Sequence, residues 1–212
     1  MGSLPLGTVT LRIGALSWVV SALAYFVAEA VAASAMPRYS YAADYISTLG
    51  APGLSPLALL MNAAFVVQAI LFPVGAALMV KGSQVRKAST FLVFAVINGI
   101  GNFLVATWHS GPSGLGPDWH GVGAFLAIAG GNVAVLLGTL AFRRADVSRT
   151  YVAAGLAIGA LGLACLLGLI LDTTLTVLPI GTWERGSVYS IFVWQTVTAV
   201  YFLRRTAKAK AA

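Results

Sequence analysis

The chain of 212 residues contains 59% apolar and 9% charged residues, and its mean hydropathy is +0.90. Soluble domains contain about 25% charged residues, so the composition excludes a soluble domain and favours a polytopic membrane protein. A net charge of +7 could suggest nucleic-acid binding, but that function requires a basic soluble surface, which short loops between membrane spans do not offer.

Six apolar runs are separated by short connections, and each is close to the roughly 20 residues that cross a bilayer as a helix. The pattern predicts an all-α fold, a polytopic membrane protein with a single bundle of six transmembrane helices. Residues 1–212 then form one membrane domain. The predicted spans cover residues 13–34, 56–80, 89–108, 121–142, 150–171 and 187–203.

Positive charge is concentrated at one end of this layout, before the first span, in alternate connections and after the last span. Eleven of the thirteen Lys and Arg residues lie there, namely Arg12, Lys81, Arg86, Lys87, Arg143, Arg144, Arg149, Arg204, Arg205, Lys208 and Lys210. The positive-inside rule makes this end cytoplasmic. We therefore expect both termini in the cytoplasm and a multi-pass protein of the cytoplasmic (inner) membrane. Five of the six acids and both histidines lie at the other end.

The first span and the connection after it contain two acids, Glu29 and Asp44. An acid inside a membrane span is a functional hypothesis by default. No run of acids continues through the bilayer, however, so we expect no path for ions. Asp44 lies within four residues of the hydroxyls of Tyr41, Tyr45 and Ser47. This connection is either a solvated interfacial loop or a segment in which Asp44 turns inward to a site.

The third and fourth spans carry polar residues toward the same end. At about 100° per residue, Asn98, Asn102 and His109 lie on one side of the third helix. Amides are costly in lipid, so this stripe should face the bundle. Asp118 is the expected N-cap of the fourth helix, which places His120 in its first turn. The two histidines could then lie close together.

Two neighbouring histidines admit several functions. A metal site would need a third ligand, for which Asp44, Asp118 and Glu184 are available, although the spacing matches no known zinc signature. A haem held by both histidines, or acid–base chemistry on a lipid headgroup, is also conceivable. The simplest alternative is that His109 and His120 only form hydrogen bonds at the interface. No cofactor is strongly implied.

The fifth span contains small residues and the single cysteine. Gly155, Gly159 and Gly162 lie near one face, and small residues at this spacing let helices approach closely. We expect this face to pack within the bundle rather than to form a dimer seam. Cys165 has no second cysteine to pair with, so the chain forms no internal disulfide.

The connection before the sixth span contains Glu184 and Arg185. If the last helix begins near Thr182, Glu184 and Gln195 fall on the same side of it, which predicts a polar stripe like that of the third. Arg185 could bind a phosphate or carboxylate ligand through its forked guanidinium. We favour a structural clamp to a neighbouring acid, for which Glu184, Asp172 or Asp44 are the candidates.

Three short motifs resemble one bacterial family. Asp44-Tyr-Ile-Ser-Thr-Leu-Gly50 resembles the I-S-D-L-G signature of the six-span proteins grouped as domain of unknown function 998, with Thr48 where that family commonly has Asp. His109 and Gly181-Thr-Trp-Glu-Arg185 are similar to its His and G-x-x-E/Q-R positions. The I-S-x-x-G turn also distantly resembles the DRAM and Sfk-type six-span proteins, some of which are tied to lipid handling. The resemblance implies a six-span fold and a site on the outer face.

The predicted function is a polar pocket on the extracytoplasmic side that binds a lipid or glycolipid headgroup. Its candidate residues are Asp44, Ser47, Asn98, Asn102, His109, His120, Glu184 and Arg185. One alternative is an outer-leaflet lipid-modifying hydrolase or transferase, with His109, His120 and Asp44 as catalytic residues and His109, His120 and Glu184 as candidate metal ligands. Another is an accessory subunit of a larger membrane complex. Membrane lipids are the expected partners, nucleic acid is not, and a homo-oligomer is possible.

Overall fold

A computed structural model describes residues 6–109, 118–175 and 177–211 of the chain, and in these ranges it contains helices and no strand. The predicted all-α fold is confirmed. The described residues form six long helices, namely α1 Leu6–Ala35, α2 Ala58–Gly82, α3 Ser89–Thr107, α4 Trp119–Phe142, α5 Arg149–Leu175 and α6 Ile180–Ala211. Each is long and apolar enough to cross a membrane. Short 3-10 helices cover Ile46–Gly50 and Arg143–Ala145.

The sixth helix begins seven residues earlier than the apolar run suggested. Its first residue, Ile180, follows Pro179, a residue that is well tolerated at the start of a helix because it has no backbone N–H to donate. Hydropathy placed the start at residue 187 because Glu184 and Arg185 interrupt the apolar run. Both charged residues therefore lie in the first turns of α6 and not in a loop.

Helix packing places α5 at the edge of the bundle. Helix α1 packs on α2 and α6, α3 packs on α2 and α4, and α5 packs on α4 and α6. In the most apolar stretch of α5, 22% of the residues are buried, which is the smallest share among the six helices. The rest of its surface is apolar and suited to contact with lipid.

The glycine face of α5 packs within the bundle, as the small-residue pattern predicted. A Cβ atom on Gly155 would lie 2.3 Å from Thr139 Oγ1, and one on Gly162 would lie 1.8 Å from Asn132 Oδ1. Both partners are on α4. Glycine is thus required at this seam because α4 side chains occupy the space that any larger residue would fill.

A buried polar layer crosses the middle of the bundle. Ser21 donates to Gln68 Oε1 over 2.5 Å, and Gln68 Nε2 donates to Gln195 Oε1 over 3.0 Å. All three side chains are at most 1% exposed. Because lipid offers no alternative partners, these amides pair with each other and tie α1, α2 and α6 together.

Candidate functional site

One end of the bundle, which we call the acidic end, is formed by the ends of α1, α3 and α5 and the beginnings of α2, α4 and α6. The segment between α1 and α2 lies over it. Ile46 and Leu49 of the 3-10 helix are 1% and 0% exposed, so this short helix inserts its apolar side chains into the bundle. Its last carbonyl, that of Gly50, accepts a hydrogen bond from Asn62 Nδ2 at 2.9 Å.

The first turns of α6 form hydrogen bonds to the backbone of this segment. Thr182 N donates to Ala42 O over 3.0 Å, and the Glu184 carboxylate accepts from Ile46 N over 2.5 Å. A Cβ atom on Gly181 would lie 2.3 Å from Asp44 O, so only glycine permits this approach. The two segments Asp44–Gly50 and Gly181–Arg185 therefore form a single interlocked structure.

Arg185 is the centre of that structure. Its Nη1 donates to Tyr41 O at 2.5 Å, to Asp44 O at 2.8 Å and to Gly181 O at 3.2 Å. Its Nη2 donates to the Tyr39 hydroxyl, and its guanidinium carbon lies 4.7 Å from the centre of the Tyr41 ring. The residue is 7% exposed, as expected for a clamp that orders the segment above it.

The acid that pairs with Arg185 is Glu29 of α1. Both Nε and Nη2 of Arg185 lie 3.1 Å from Glu29 Oε1. The Tyr189 hydroxyl lies 2.9 Å from each oxygen of the same carboxylate, so Glu29 is fully enclosed by hydrogen-bond donors at 1% exposure. Each of the three guanidinium nitrogens of Arg185 therefore donates to an acceptor within the protein.

Tyr39 completes the network as a neutral hydroxyl. Burial raises the pKa of Tyr39 to about 12, while the Arg185 guanidinium acts in the opposite direction. The hydroxyl therefore accepts from Arg185 and donates to Tyr45 O over 3.0 Å. Burial also raises the pKa of Tyr41 and of Tyr45.

A cavity of about 40 Å³ lies below the 3-10 helix, and we call it the polar cavity. Five of the six long helices contribute to its wall. Its lining residues are Tyr25, Ile46, Ser47, Phe65, Gln68, Asn98, Asn102, Val105, Ala124, Ala127, Ile128, Glu184, Val188, Ile191 and Phe192. A buried water needs roughly 10–15 Å³ of such space, so the polar cavity has room for about three waters or for one small chemical group.

Two of the three residues of the predicted stripe, Asn98 and Asn102, face the bundle, whereas His109 follows the end of α3. Asn98 and Asn102 are 1% and 8% exposed, and both line the polar cavity. Asn98 Nδ2 donates to Ala127 O at 2.6 Å, while Asn102 Nδ2 donates to Asn98 O at 3.0 Å. The amide of Gln68, on α2, also lines the cavity and was not among the residues predicted for the site.

The two histidines occupy separate environments outside the cavity lining. His109 Nε2 lies 2.9 Å from Asn62 Nδ2, whereas His120 Nδ1 lies 2.8 Å from Trp108 O. Asp118 is the N-cap of α4, as predicted, and accepts from Gly121 N over 2.9 Å. Across the described ranges, no three His, Cys, Asp or Glu side chains come together in a way that could hold a metal ion.

Asp44 is held by its own turn. Its Oδ2 accepts from Ser40 N at 2.7 Å, and its backbone N donates back to Ser40 O at 2.8 Å. Of the eight predicted headgroup residues, the lining of the polar cavity thus contains Ser47, Asn98, Asn102 and Glu184. Asp44 and Arg185 order the segment above the cavity, and neither histidine is among the lining residues.

Comparison with known proteins identifies the family. The model of a family described as protein of unknown function (DUF998) matches residues 19–201. The chain belongs to this family. No curated protein and no solved structure matches it.

The interlocked structure gives a physical reason for two of the motifs that this DUF998 protein carries. Gly181 lets α6 approach the backbone above it, and Glu184 and Arg185 bind that backbone. The Ile46–Gly50 helix supplies the N–H that Glu184 binds and two apolar side chains that close the bundle. Both motifs therefore belong to one structure, formed by Asp44–Gly50 and Gly181–Arg185, which we call the cover of the polar cavity.

Proposed function

We propose that the protein binds the polar headgroup of a membrane lipid at the acidic end, with one small donor-bearing group of that headgroup in the polar cavity. The observation that carries the proposal is the lining of the cavity. It combines the Glu184 carboxylate with the amides of Gln68, Asn98 and Asn102, and apart from Ser47 and Tyr25 the remaining lining residues are apolar.

The volume and charge of the cavity narrow the chemistry of the group. A space of about 40 Å³ excludes a whole sugar or phosphate ester. Glu184 is the one carboxylate in the lining, and Arg185 turns toward the loop above, so the cavity favours a group that donates hydrogen bonds. An ammonium or hydroxyl end of a lipid or glycolipid headgroup meets both conditions.

The charge distribution supports the location of this site. Eleven of the thirteen Lys and Arg residues lie away from the acidic end. From the positive-inside rule we infer that the acidic end lies on the extracytoplasmic side of the cytoplasmic membrane. The cavity would receive lipid from the outer leaflet.

The test is native mass spectrometry of the protein in detergent with equal amounts of phosphatidylethanolamine and phosphatidylglycerol of matched acyl chains. In the Ala124→Leu variant the added carbons enter the polar cavity, which Ala124 lines. We expect wild type to retain the ethanolamine lipid. The variant should retain at least about tenfold less of this lipid. A Glu184→Gln variant should lose it as well, since the charge of the acceptor is removed.

The control is Ala129→Leu, on the same helix and outside the cavity lining. It should retain lipid as wild type does. Equal retention of both lipids by all four proteins, each with an unchanged far-UV helix signal, would overturn the proposal.

A further inference from the structure

A groove runs along α6 at the opposite end of the bundle from the polar cavity, and we call it the basic groove. It is lined by Thr196, Val197, Val200, Tyr201, Arg204 and Arg205, and the space beside them, about 560 Å³, is open to the surroundings. These residues form two columns at a spacing of four along one side of the helix. Apolar and aromatic side chains occupy the part toward the middle of the membrane, and two guanidiniums occupy the end.

One of these guanidiniums is held in place from the side. Arg205 Nη1 donates to Ala145 O and to Asp146 O, both at 2.8 Å. Its Nη2 lies 4.0 Å from Asp146 Oδ2, beyond hydrogen-bond distance. Arg204 is exposed and forms no hydrogen bond or ion pair with the described residues, so its five donors face outward.

The neighbouring connection adds positive charge. Ser148 N donates to the Tyr201 hydroxyl at 3.0 Å, which places the segment between α4 and α5 beside the groove. That segment carries Arg143 and Arg144, with Asp146 as its single acid, and Arg149 follows as the first residue of α5. The surroundings of the groove are therefore strongly positive.

We propose that the basic groove binds a phospholipid with an anionic headgroup. The phosphate lies against Arg204 and Arg205, for which a guanidinium is well suited. An acyl chain lies along Val197 and Val200. The apolar wall favours a lipid over free phosphate, because a phosphate ion would use the arginines and leave that wall unfilled. This site is independent of the polar cavity.

The first test compares the affinity for phosphatidylglycerol with that for phosphatidylcholine of the same acyl chains, titrated onto delipidated protein and followed by native mass spectrometry. We expect wild type to prefer phosphatidylglycerol. Near a membrane surface one basic residue contributes about 1 kcal/mol to binding of anionic lipid, so Arg204→Gln should lower that affinity about fivefold. The matched control is Arg86→Gln, which removes an exposed charge outside the groove and should change the affinity less than twofold.

A second variant distinguishes a lipid docked in the groove from a lipid held only by general electrostatic attraction. Val197→Trp places a bulky ring where the acyl chain would lie and leaves both arginines in place, so binding of a docked lipid should weaken while a general electrostatic attraction would persist. Equal losses in Arg204→Gln and Arg86→Gln, or unchanged binding by Val197→Trp, would overturn the proposal. The proposal would also be overturned if inorganic phosphate stabilised the protein as much as phosphatidylglycerol does and if this stabilisation depended on Arg204.

Discussion

Glu29 on α1 and Arg185 on α6 are 156 positions apart in the chain and form a buried ion pair, with Glu29 Oε1 at 3.1 Å from both Nε and Nη2 of Arg185. Their side chains are 2% and 8% exposed. A buried charge is tolerated only when it is paired and hydrogen-bonded. This pair therefore ties the first and last helices together and anchors the cover of the polar cavity to both.

Removing either charge should destabilise the protein strongly. Breaking a buried pair leaves an uncompensated charge, which typically costs about 3–5 kcal/mol. We expect Arg185→Leu to cost more than Glu29→Leu, because Arg185 also binds the carbonyls of Tyr41, Asp44 and Gly181. The measurement is the unfolding midpoint in a detergent titration.

The double variant Glu29→Leu with Arg185→Leu should be more stable than the sum of the two single effects predicts, since neither charge is then left alone. Asp146→Asn is the control. Asp146 and Arg205 form an exposed pair at 4.0 Å, so its midpoint should not change measurably. Additive effects of the two single variants would contradict the coupling that the geometry requires.

Gly181→Ala should loosen the cover of the polar cavity. The new Cβ would lie 2.3 Å from Asp44 O and 2.9 Å from Ala42 O, and both contacts are with backbone that cannot rotate away. We expect a lower melting temperature and faster hydrogen exchange at the backbone N–H groups of Ile46 and Thr182. Gly7→Ala is the matched control, because its Cβ would find nothing nearer than Gly82 O at 3.5 Å.

Sequence periodicity predicted the features that depend on one helix alone. The inward stripe of Asn98 and Asn102 and the Asp118 cap follow from local geometry, and the structure contains both. The clamp role of Arg185 could also be predicted from the sequence, but the acid with which Arg185 pairs could not. Glu29 was outside the set of three candidate acids because the rotation of α1 against α6 depends on packing between distant helices.

The histidines illustrate the same limit. Their positions at the ends of α3 and α4 were predicted correctly, and helix ends at similar depth suggested a shared site. The direction of each ring depends on partners that no pattern identifies. His109 turns to Asn62 of α2, and His120 turns to the carbonyl of Trp108.

Gly162→Ala should separate α5 from α4. A Cβ at this position would lie 1.8 Å from Asn132 Oδ1, an oxygen that is itself buried without a hydrogen-bond partner in the described structure. Insertion of a methyl group into a tight core costs about 1–3 kcal/mol. Adding Asn132→Ala should restore part of the lost stability, because it removes the atom that clashes but also removes the hydrogen bond from Asn132 Nδ2 to Ser187 O. A double variant no more stable than Gly162→Ala would show that another contact sets the spacing of this seam.

The orientation of the protein can be tested by cysteine labelling in intact cells, on a Cys165→Ala background. The positive-inside argument predicts that a cysteine at Ser83, in the basic connection between α2 and α3, reacts with a membrane-impermeant maleimide only after lysis. A cysteine at Ser113, which lies outside the described residues, should react in intact cells because it belongs to the connection between α3 and α4 at the acidic end. Reversed labelling would place the polar cavity toward the cytoplasm, and its lipid would then have to come from the inner leaflet.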